Sequence, residues 1–177
     1  MIHTAKYHSA LGAITIATKD GRLIGLWFDG QKHFGTTLNE PYQNSEDDPI
    51  ITLTKQWLEE YFSGIIPDFT PPLELCGSEF QLRVWHQLLT IPYGETLSYG
   101  QIARRISPTM SAQAVGNAIG RNPISIIIPC HRVISSEGTM TGYAGGICLR
   151  NVNHSYIHDY PSLYSGTDMS SVKVTAI

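Results

Sequence analysis

A potential nucleophile and a potential base stand next to each other at Cys130 and His131. A free thiol has a pKa of about 8.5 and is mostly protonated at neutral pH, so a base must help it to react. Side chains of adjacent residues on an extended segment point apart, and we therefore expect His131 to act through a water molecule. Taken alone, the pair favours the simpler interpretation that the cysteine is a small buried hydrophobe, which is what most free cysteines are.

The residues before the pair predict how it is held. Ile126, Ile127 and Ile128 form a β-branched run, which predicts a buried strand. Pro129 has a fixed φ and no backbone N–H, so it should end that strand and turn the chain. Cys130 is then expected at the rigid edge of the core, where a reactive side chain can be held in place.

Three helices are predicted upstream of this segment. Each begins at a serine, and the first two serines are followed three residues later by glutamine, which is the capping-box pattern. The three serines are Ser78, Ser98 and Ser111. Residues 107–110 form a turn between the second and third helices, which predicts a helix-turn-helix, with a plain helical hairpin as the alternative.

The third predicted helix carries mostly small side chains, and Gln113 and Asn117 are its longer polar ones. Small residues let a helix approach another surface closely, and tight packing within the protein is the usual reason for them. The small residues are Ala112, Ala114, Val115, Gly116, Ala118 and Gly120.

The first 72 residues predict a small α+β unit. A hairpin spans residues 11–28 around the Asp20-Gly21 turn, and the apolar spacing of residues 51–62 predicts a helix. The polar stretch 31–48 lacks periodicity and predicts a loop. We divide the chain into an N-terminal α+β domain (1–72), a helix-turn-helix domain (73–160) that carries Cys130, and a tail (161–177) whose polar composition predicts disorder.

Composition limits the class of protein. The 177 residues are 42% hydrophobic and 15% charged, which is typical of a globular protein. No apolar run approaches the roughly 20 residues that cross a bilayer. The three cysteines, Cys76, Cys130 and Cys148, form neither a disulfide framework nor a zinc motif, so we expect a reduced, cytoplasmic setting without membrane attachment.

Charge is distributed unevenly along the chain. The net charge is −3, but residues 78–150 hold six arginines against three acidic residues, a net of +3, so the remainder carries −6. This asymmetry is compatible with a nucleic-acid-facing half, and an ordinary solvated surface explains it equally well.

Several motifs together resemble the O6-alkylguanine-DNA alkyltransferase family in order and spacing. They are Phe80-Gln81-Leu82-Arg83-Val84-Trp85, Ile91-Pro92-Tyr93-Gly94, Ser98-Tyr99-Gly100-Gln101-Ile102-Ala103, Pro129-Cys130-His131-Arg132-Val133 and Gly142-Tyr143-Ala144-Gly145-Gly146. The resemblance is dense from Ser78 to Gly146 and ends after Leu149. It implies an α+β fold, with a ribonuclease-H-like N-terminal domain followed by a mostly helical winged helix-turn-helix domain.

The resemblance also implies a function. Cys130 accepts an alkyl group from O6-alkylguanine, with O4-alkylthymine as a further candidate, in a single-use DNA repair reaction. The damaged base is flipped out of double-stranded DNA, and the third helix enters the minor groove. The protein would act as a monomer, without cofactor or metal.

Individual positions take roles from the family. The resemblance places Cys130, His131, Tyr99 and Tyr143 in the reaction, with Tyr99 rotating the phosphate and Tyr143 lining the pocket. The expected substrate- and DNA-binding positions are Ala112, Gln113, Ala114, Gly116, Asn122, Arg132, Gly145 and Gly146. Among these, Asn122 organises the turn around the cysteine, and Arg132 is interpreted mainly as an anchor of the predicted strand end.

Two positions depart from the family pattern. Gln113 stands where an arginine normally fills the space of the flipped base, and Ile157 stands where a glutamate orients the histidine. Without that glutamate, and unless Asp159 replaces it, transfer should be slow at neutral pH and rise with pH. An impaired, lesion-binding protein on the same scaffold is therefore the alternative function. A cysteine hydrolase is a third hypothesis, for which no acid or amide is placed to complete a triad.

Overall fold

A mixed β-sheet and a group of short helices make up the described part of the chain. The structure is a computed structural model that describes residues 1–138 and 172–176. The strands are β1 (Ile2–Ser9), β2 (Gly12–Lys19), β3 (Arg22–Phe28), β4 (Tyr42–Asn44), β5 (Leu73–Gly77), β6 (Leu97–Ser98), β7 (Val133–Ile134) and β8 (Val172–Ala176). The helices are α1 (Pro49–Phe62), α2 (Glu79–Leu89), α3 (Tyr99–Ile106) and α4 (Ala112–Ile119). The predicted α+β class is confirmed.

Six strands form one sheet in the order β4-β1-β2-β3-β5-β8. The β2–β3 hairpin is confirmed, with Lys19 opposite Arg22 and a two-residue turn between them. Asp20 and Gly21 both have positive φ, 50° and 72°, as the turn type that matches the twist of the strands requires. These central strands are buried along most of their length and carry the N-terminal core.

The edges of this sheet differ from the prediction. β4 lies within residues 31–48, where we predicted a loop, and it pairs in parallel with β1. β8 lies within residues 161–177, where we predicted disorder, and it pairs in parallel with β5. Both strands lie at the edges of the sheet. β4 is three exposed polar residues long and has no apolar pattern that the sequence would reveal, whereas the sequence of β8, VKVTA, alternates apolar and polar residues, a strand pattern that the prediction of disorder overlooked.

The helix α1 confirms the predicted helix over residues 51–62 and begins two residues earlier. Asp48 caps it, accepting hydrogen bonds from the backbone N–H groups of Ile50 and Ile51 at 2.8 and 3.1 Å. Its buried face consists of Ile51, Thr54, Trp57, Leu58 and Tyr61. The end of this face matters for the site below, because Tyr61 is fully buried, whereas Phe62 is only half-buried.

The three predicted helices of the second half are confirmed. Ser78 and Ser98 form capping boxes at α2 and α3, and the Ser111 side chain accepts a hydrogen bond from the N–H of Ala114 at the start of α4. The indole N–H of Trp85 in α2 donates to the Ala118 carbonyl of α4 at 2.9 Å. This bond, together with close packing of α3 against α4, fixes the helix-turn-helix.

The strand predicted at Ile126–Ile128 is wrong. Every residue from 122 to 131 is buried, but residues 125–128 form turns, and Ile126 has a φ of +71°. The nearest strand-like contact is an isolated parallel bridge between Ile124 and Leu26 of β3. An apolar run without alternation predicts burial but cannot distinguish a strand from another buried conformation.

That bridge joins the two halves of the chain. The N–H of Leu26 donates to the Pro123 carbonyl at 2.9 Å, and the N–H of Ser125 donates to the Leu26 carbonyl at 2.8 Å. A single hydrophobic cluster contains buried residues of the sheet, of α1 to α4 and of the cysteine segment. Within the described residues, no helix is long and apolar enough to span a membrane.

Candidate active site

Two consecutive turns hold Cys130. Its N–H donates to the Ile128 carbonyl at 2.7 Å, and Pro129 between them has φ −79° and ψ 63°, the geometry of an inverse γ-turn. The N–H of Arg132 then donates to the Pro129 carbonyl at 3.0 Å, which closes the short 3₁₀ turn Cys130–Arg132. Cys130 is only 3% exposed, so a substrate must be brought to it.

Asn122 organises the segment that leads to the cysteine. Its side-chain NH₂ donates to the carbonyls of Ile124 and Ile128 at 3.2 and 3.0 Å, and its Oδ1 accepts from the N–H of Ile124 at 3.0 Å. A buried segment without regular structure needs such partners for its backbone groups. The Asn122 side chain therefore holds the turn that precedes Cys130, and its part in substrate binding stays a prediction.

His131 is fully buried and meets a residue from the other half of the chain. Its Nε2 lies 3.3 Å from the hydroxyl oxygen of Tyr61, which is 70 residues earlier, on α1. The sequence analysis missed Tyr61. Its position four residues after Trp57 and three after Leu58 could have indicated an inward side chain, but helical spacing cannot name a partner so far away in the chain.

Arg132 lies against the loop that follows α2. Its Nη1 donates to the Ile91 carbonyl at 2.8 Å, and its guanidinium carbon lies 5.1 Å from the centre of the Tyr93 ring. These contacts fit the interpretation of Arg132 as an anchor. A small cleft beside it is lined by α1, the segment 66–70 and the cysteine segment.

The exposed face of α4 is formed by Ala112, Gln113 and Asn117, with Ala114 and Gly116 half-buried. A Cβ atom at Gly116 would meet ring carbons of Tyr99 at 3.6 and 3.7 Å, which is ordinary van der Waals contact. Packing within the protein therefore does not require glycine at this position. The small face is open to a partner that approaches closely.

Basic side chains near the end of α4 come from both halves of the chain. Burial, followed by the nearby charges of Arg121 and Lys32, holds the pKa of His33 below its ordinary value. Arg121 and Lys32 are exposed, as are Arg104 and Arg105 in the last turn of α3.

Several predicted positions lie outside the described residues. They are Tyr143, Gly145, Gly146, Cys148, Ile157 and Asp159. Within 1–138 and 172–176, no group of three or more His, Cys, Asp or Glu side chains could hold a metal ion.

Both halves of the chain match known protein families. Residues 2–75 match the family described as "6-O-methylguanine DNA methyltransferase, ribonuclease-like domain", and residues 79–152 match "6-O-methylguanine DNA methyltransferase, DNA binding domain". The first match ends within β5, and the second begins with α2.

Similar proteins and structures carry related names. A "Methylated-DNA--protein-cysteine methyltransferase" of Mycobacterium leprae is 42% identical over 147 residues, covering 83% of this chain and 87% of the relative. The Mycobacterium tuberculosis protein of the same name is 43% identical over 152 residues, with the same coverage. The structure described as M. tuberculosis OGT in complex with DNA superimposes with a TM-score of 0.81 and 39% identity, covering 89% of this chain and 93% of that one.

Proposed function

This chain belongs to the 6-O-methylguanine DNA methyltransferase family, and from that membership we propose that it repairs alkylated DNA by transferring the alkyl group of O6-alkylguanine to its own Cys130. The observation that carries the assignment to Cys130 is its placement. It is held by two turns and by the Asn122 hydrogen bonds, directly before the buried His131.

The proposed reaction is one displacement. The Cys130 thiol loses its proton, through a water molecule, to His131, and the sulfur attacks the alkyl carbon while the bond from that carbon to guanine O6 breaks. The electron pair of that bond leaves with guanine, which regains a proton, supplied in this proposal by Tyr143. A thioether has no easy way to release the alkyl group, so each molecule reacts once.

The DNA partner is proposed to lie against α4. The guanine O6 atom is inside the base stack, so the nucleotide must be flipped out to reach a thiol that is 3% exposed. We propose that the small face of α4 enters the minor groove, because small side chains fit there and read little sequence. A repair protein that scans all guanines must bind DNA without sequence preference. We further propose that one monomer acts alone.

The basic side chains around α4 support this orientation. Arg104, Arg105 and Arg121 are exposed on or beside the helix-turn-helix, and Lys32 adds charge from the N-terminal half. Contacts from such side chains to phosphates provide affinity that is independent of sequence and falls as salt is raised. The net −3 charge of the whole chain therefore does not argue against DNA binding.

The test is to incubate the protein with duplex DNA that contains one O6-methylguanine and to weigh the proteolytic peptides. We expect the Cys130 peptide to gain the mass of one CH₂ unit, in amounts equal to the guanine restored. Cys130→Ala should bind the same duplex and gain no mass, and Cys76→Ala, which removes the half-buried thiol of β5, is the matched control that should still react. Methylation at Cys76 or Cys148 in Cys130→Ala would contradict the assignment.

The alternative is a protein that binds lesions without repairing them. It would retain duplex binding while the Cys130 peptide stays unmodified. The cysteine at the turn of residues 130–132 favours alkyl transfer, because a protein that only binds lesions does not need a thiol there.

A further inference from the structure

The contact between Tyr61 and His131 connects the N-terminal half of the chain to the reacting residues. We propose that Tyr61 is a positioning residue for His131 during alkyl transfer, an inference that rests on the proposed function. The Tyr61 hydroxyl oxygen lies 3.3 Å from Nε2 of His131, and the two residues are 1% and 0% exposed. Water therefore does not compete for this contact.

The Tyr61 ring has little freedom to leave His131. It stacks on Trp57, with ring centres 5.2 Å apart and planes 12° from parallel. It meets Phe62 and Tyr93 edge-on, with centre distances of 5.5 and 6.3 Å. An aromatic ring enclosed on several sides holds its hydroxyl group in a narrow range of positions.

A phenol suits a histidine that changes its protonation state. When Nε2 carries the hydrogen, the Tyr61 oxygen can accept it both in neutral imidazole and in imidazolium, and Nδ1 is then the nitrogen that takes up the proton. When His131 takes the proton of Cys130, a buried positive charge forms, and the Tyr61 oxygen is an acceptor already in place for it. A neutral hydroxyl compensates such a charge less than a carboxylate does, because hydrogen bonds between charged groups are the stronger ones.

Other groups that titrate or carry charge also surround this contact. In the described part of the chain they are Cys130 and Arg132, on the same turn as His131, and Tyr93. Tyr61→Phe keeps each of these side chains in the protein and removes only the Tyr61 hydroxyl group. A change in the pH dependence of Cys130 reactivity on that removal therefore reports on the Tyr61 hydroxyl itself.

The consequence is that α1 supplies more than a scaffold. The reacting histidine is oriented by a residue from the ribonuclease-like half, so the two halves must be docked for His131 to be oriented. The position where the family resemblance expects a glutamate, Ile157, holds an aliphatic side chain. A hydroxyl group from α1 gives His131 a partner that does not depend on that position.

The test compares Tyr61→Phe with the wild-type protein. The single-turnover rate of methyl transfer is measured across pH with the O6-methylguanine duplex. We expect Tyr61→Phe to be slower at neutral pH by roughly 3- to 10-fold, the equivalent of one lost hydrogen bond. We also expect the midpoint of its rate–pH profile to move to higher pH. Tyr7→Phe, the same substitution at a half-buried tyrosine that stacks on Phe62, is the control and should leave the midpoint unchanged.

A second measurement separates this inference from the proposed function. The rate at which iodoacetamide alkylates Cys130, followed by the mass of its peptide, needs no DNA. A higher midpoint in Tyr61→Phe supports the positioning role even if wild-type protein never accepts a methyl group, a result that would contradict only the proposed function. If Tyr61→Phe transfers the methyl group more slowly but the midpoints of its methyl-transfer and iodoacetamide pH profiles are unchanged, Tyr61 has only a structural role and the inference is overturned.

Discussion

At the scale of single residues, the Asn122 side chain holds the backbone of the segment that leads to Cys130. Each of the three hydrogen bonds of this side chain ends on a backbone group of Ile124 or Ile128. The segment that they close also contains Ile126 at a φ of +71°, a conformation that a β-branched residue rarely adopts. Strain of this kind persists only where the surrounding contacts determine the backbone.

Asn122→Ala should therefore destabilise the protein and misplace Cys130. The buried N–H of Ile124 loses its partner, which costs about 1 to 3 kcal/mol, and the Ile124 and Ile128 carbonyls each lose one donor while still accepting from the N–H groups of Ile128 and Cys130. We expect the free energy of unfolding to fall by about 2 to 4 kcal/mol. Urea denaturation measures this change, and the transfer assay should show a lower rate in the folded fraction. The exposed Asn39→Ala is the control. Equal stability of the two variants would show that the Asn122 hydrogen bonds do not stabilise the fold.

At the scale of elements, α1 links the stability of the fold to the orientation of the site. Its N-terminus is held by Asp48, which also accepts hydrogen bonds from His3 and Thr18 at 2.8 and 3.0 Å. Burial alone would raise the pKa of Asp48, but the hydrogen bonds from His3, Thr18 and the helix N–H groups together lower it below its ordinary value. Tyr61 lies in the last turn of the same helix.

The Asp48 carboxylate should make the stability of the protein depend on pH in the acid range. Since its pKa is lower in the folded than in the unfolded chain, its contribution is complete above the ordinary value of 3.8 and is lost as pH falls below it. Asp48→Asn keeps a capping oxygen but not the charge, so its free energy of unfolding should decline less steeply below about pH 4. Chemical denaturation at a series of pH values measures both slopes. The exposed Asp68→Asn is the control, and identical slopes for wild type and Asp48→Asn would contradict the prediction.

At the scale of the whole molecule, the net charge of −3 is unevenly distributed along the chain. Exposed arginines lie in the last turn of α3 and directly after α4, while most of the acidic residues lie in the N-terminal half. Because the two halves share one core and a backbone bridge, these charges stay fixed relative to the cysteine.

Gln113→Arg should strengthen DNA binding by adding a positive charge to the exposed face of α4. Gln113 is exposed on α4 and carries no charge. One added cation near the DNA should tighten binding and steepen the dependence of log K on log salt by at most about one phosphate contact. Fluorescence anisotropy with an undamaged duplex at several salt concentrations gives both quantities. The control is Gln56→Arg, on the exposed side of α1. If Gln113→Arg changes neither affinity nor slope, α4 does not meet DNA as proposed.

Features that depend on local chemistry could be predicted from the sequence. The capping boxes at Ser78 and Ser98, the Asp20-Gly21 hairpin and the helix α1 rest on contacts within a few residues, and each is confirmed. The family and the cysteine-histidine pair were also apparent, because motif order and spacing are properties of the chain alone.

The remaining features depend on contacts between distant segments and could not be predicted from the sequence. Three features join segments that are far apart in the chain. They are the turn conformation of residues 125–128, the pairing of the edge strands β4 and β8, and the contact of Tyr61 with His131. The same buried apolar run can form a strand or a turn. Which conformation it adopts depends on the backbone groups, some of them distant in the chain, that accept its hydrogen bonds. Helical spacing likewise placed a buried face on α1, but only the packing of that face against the cysteine segment brought a phenol to the histidine.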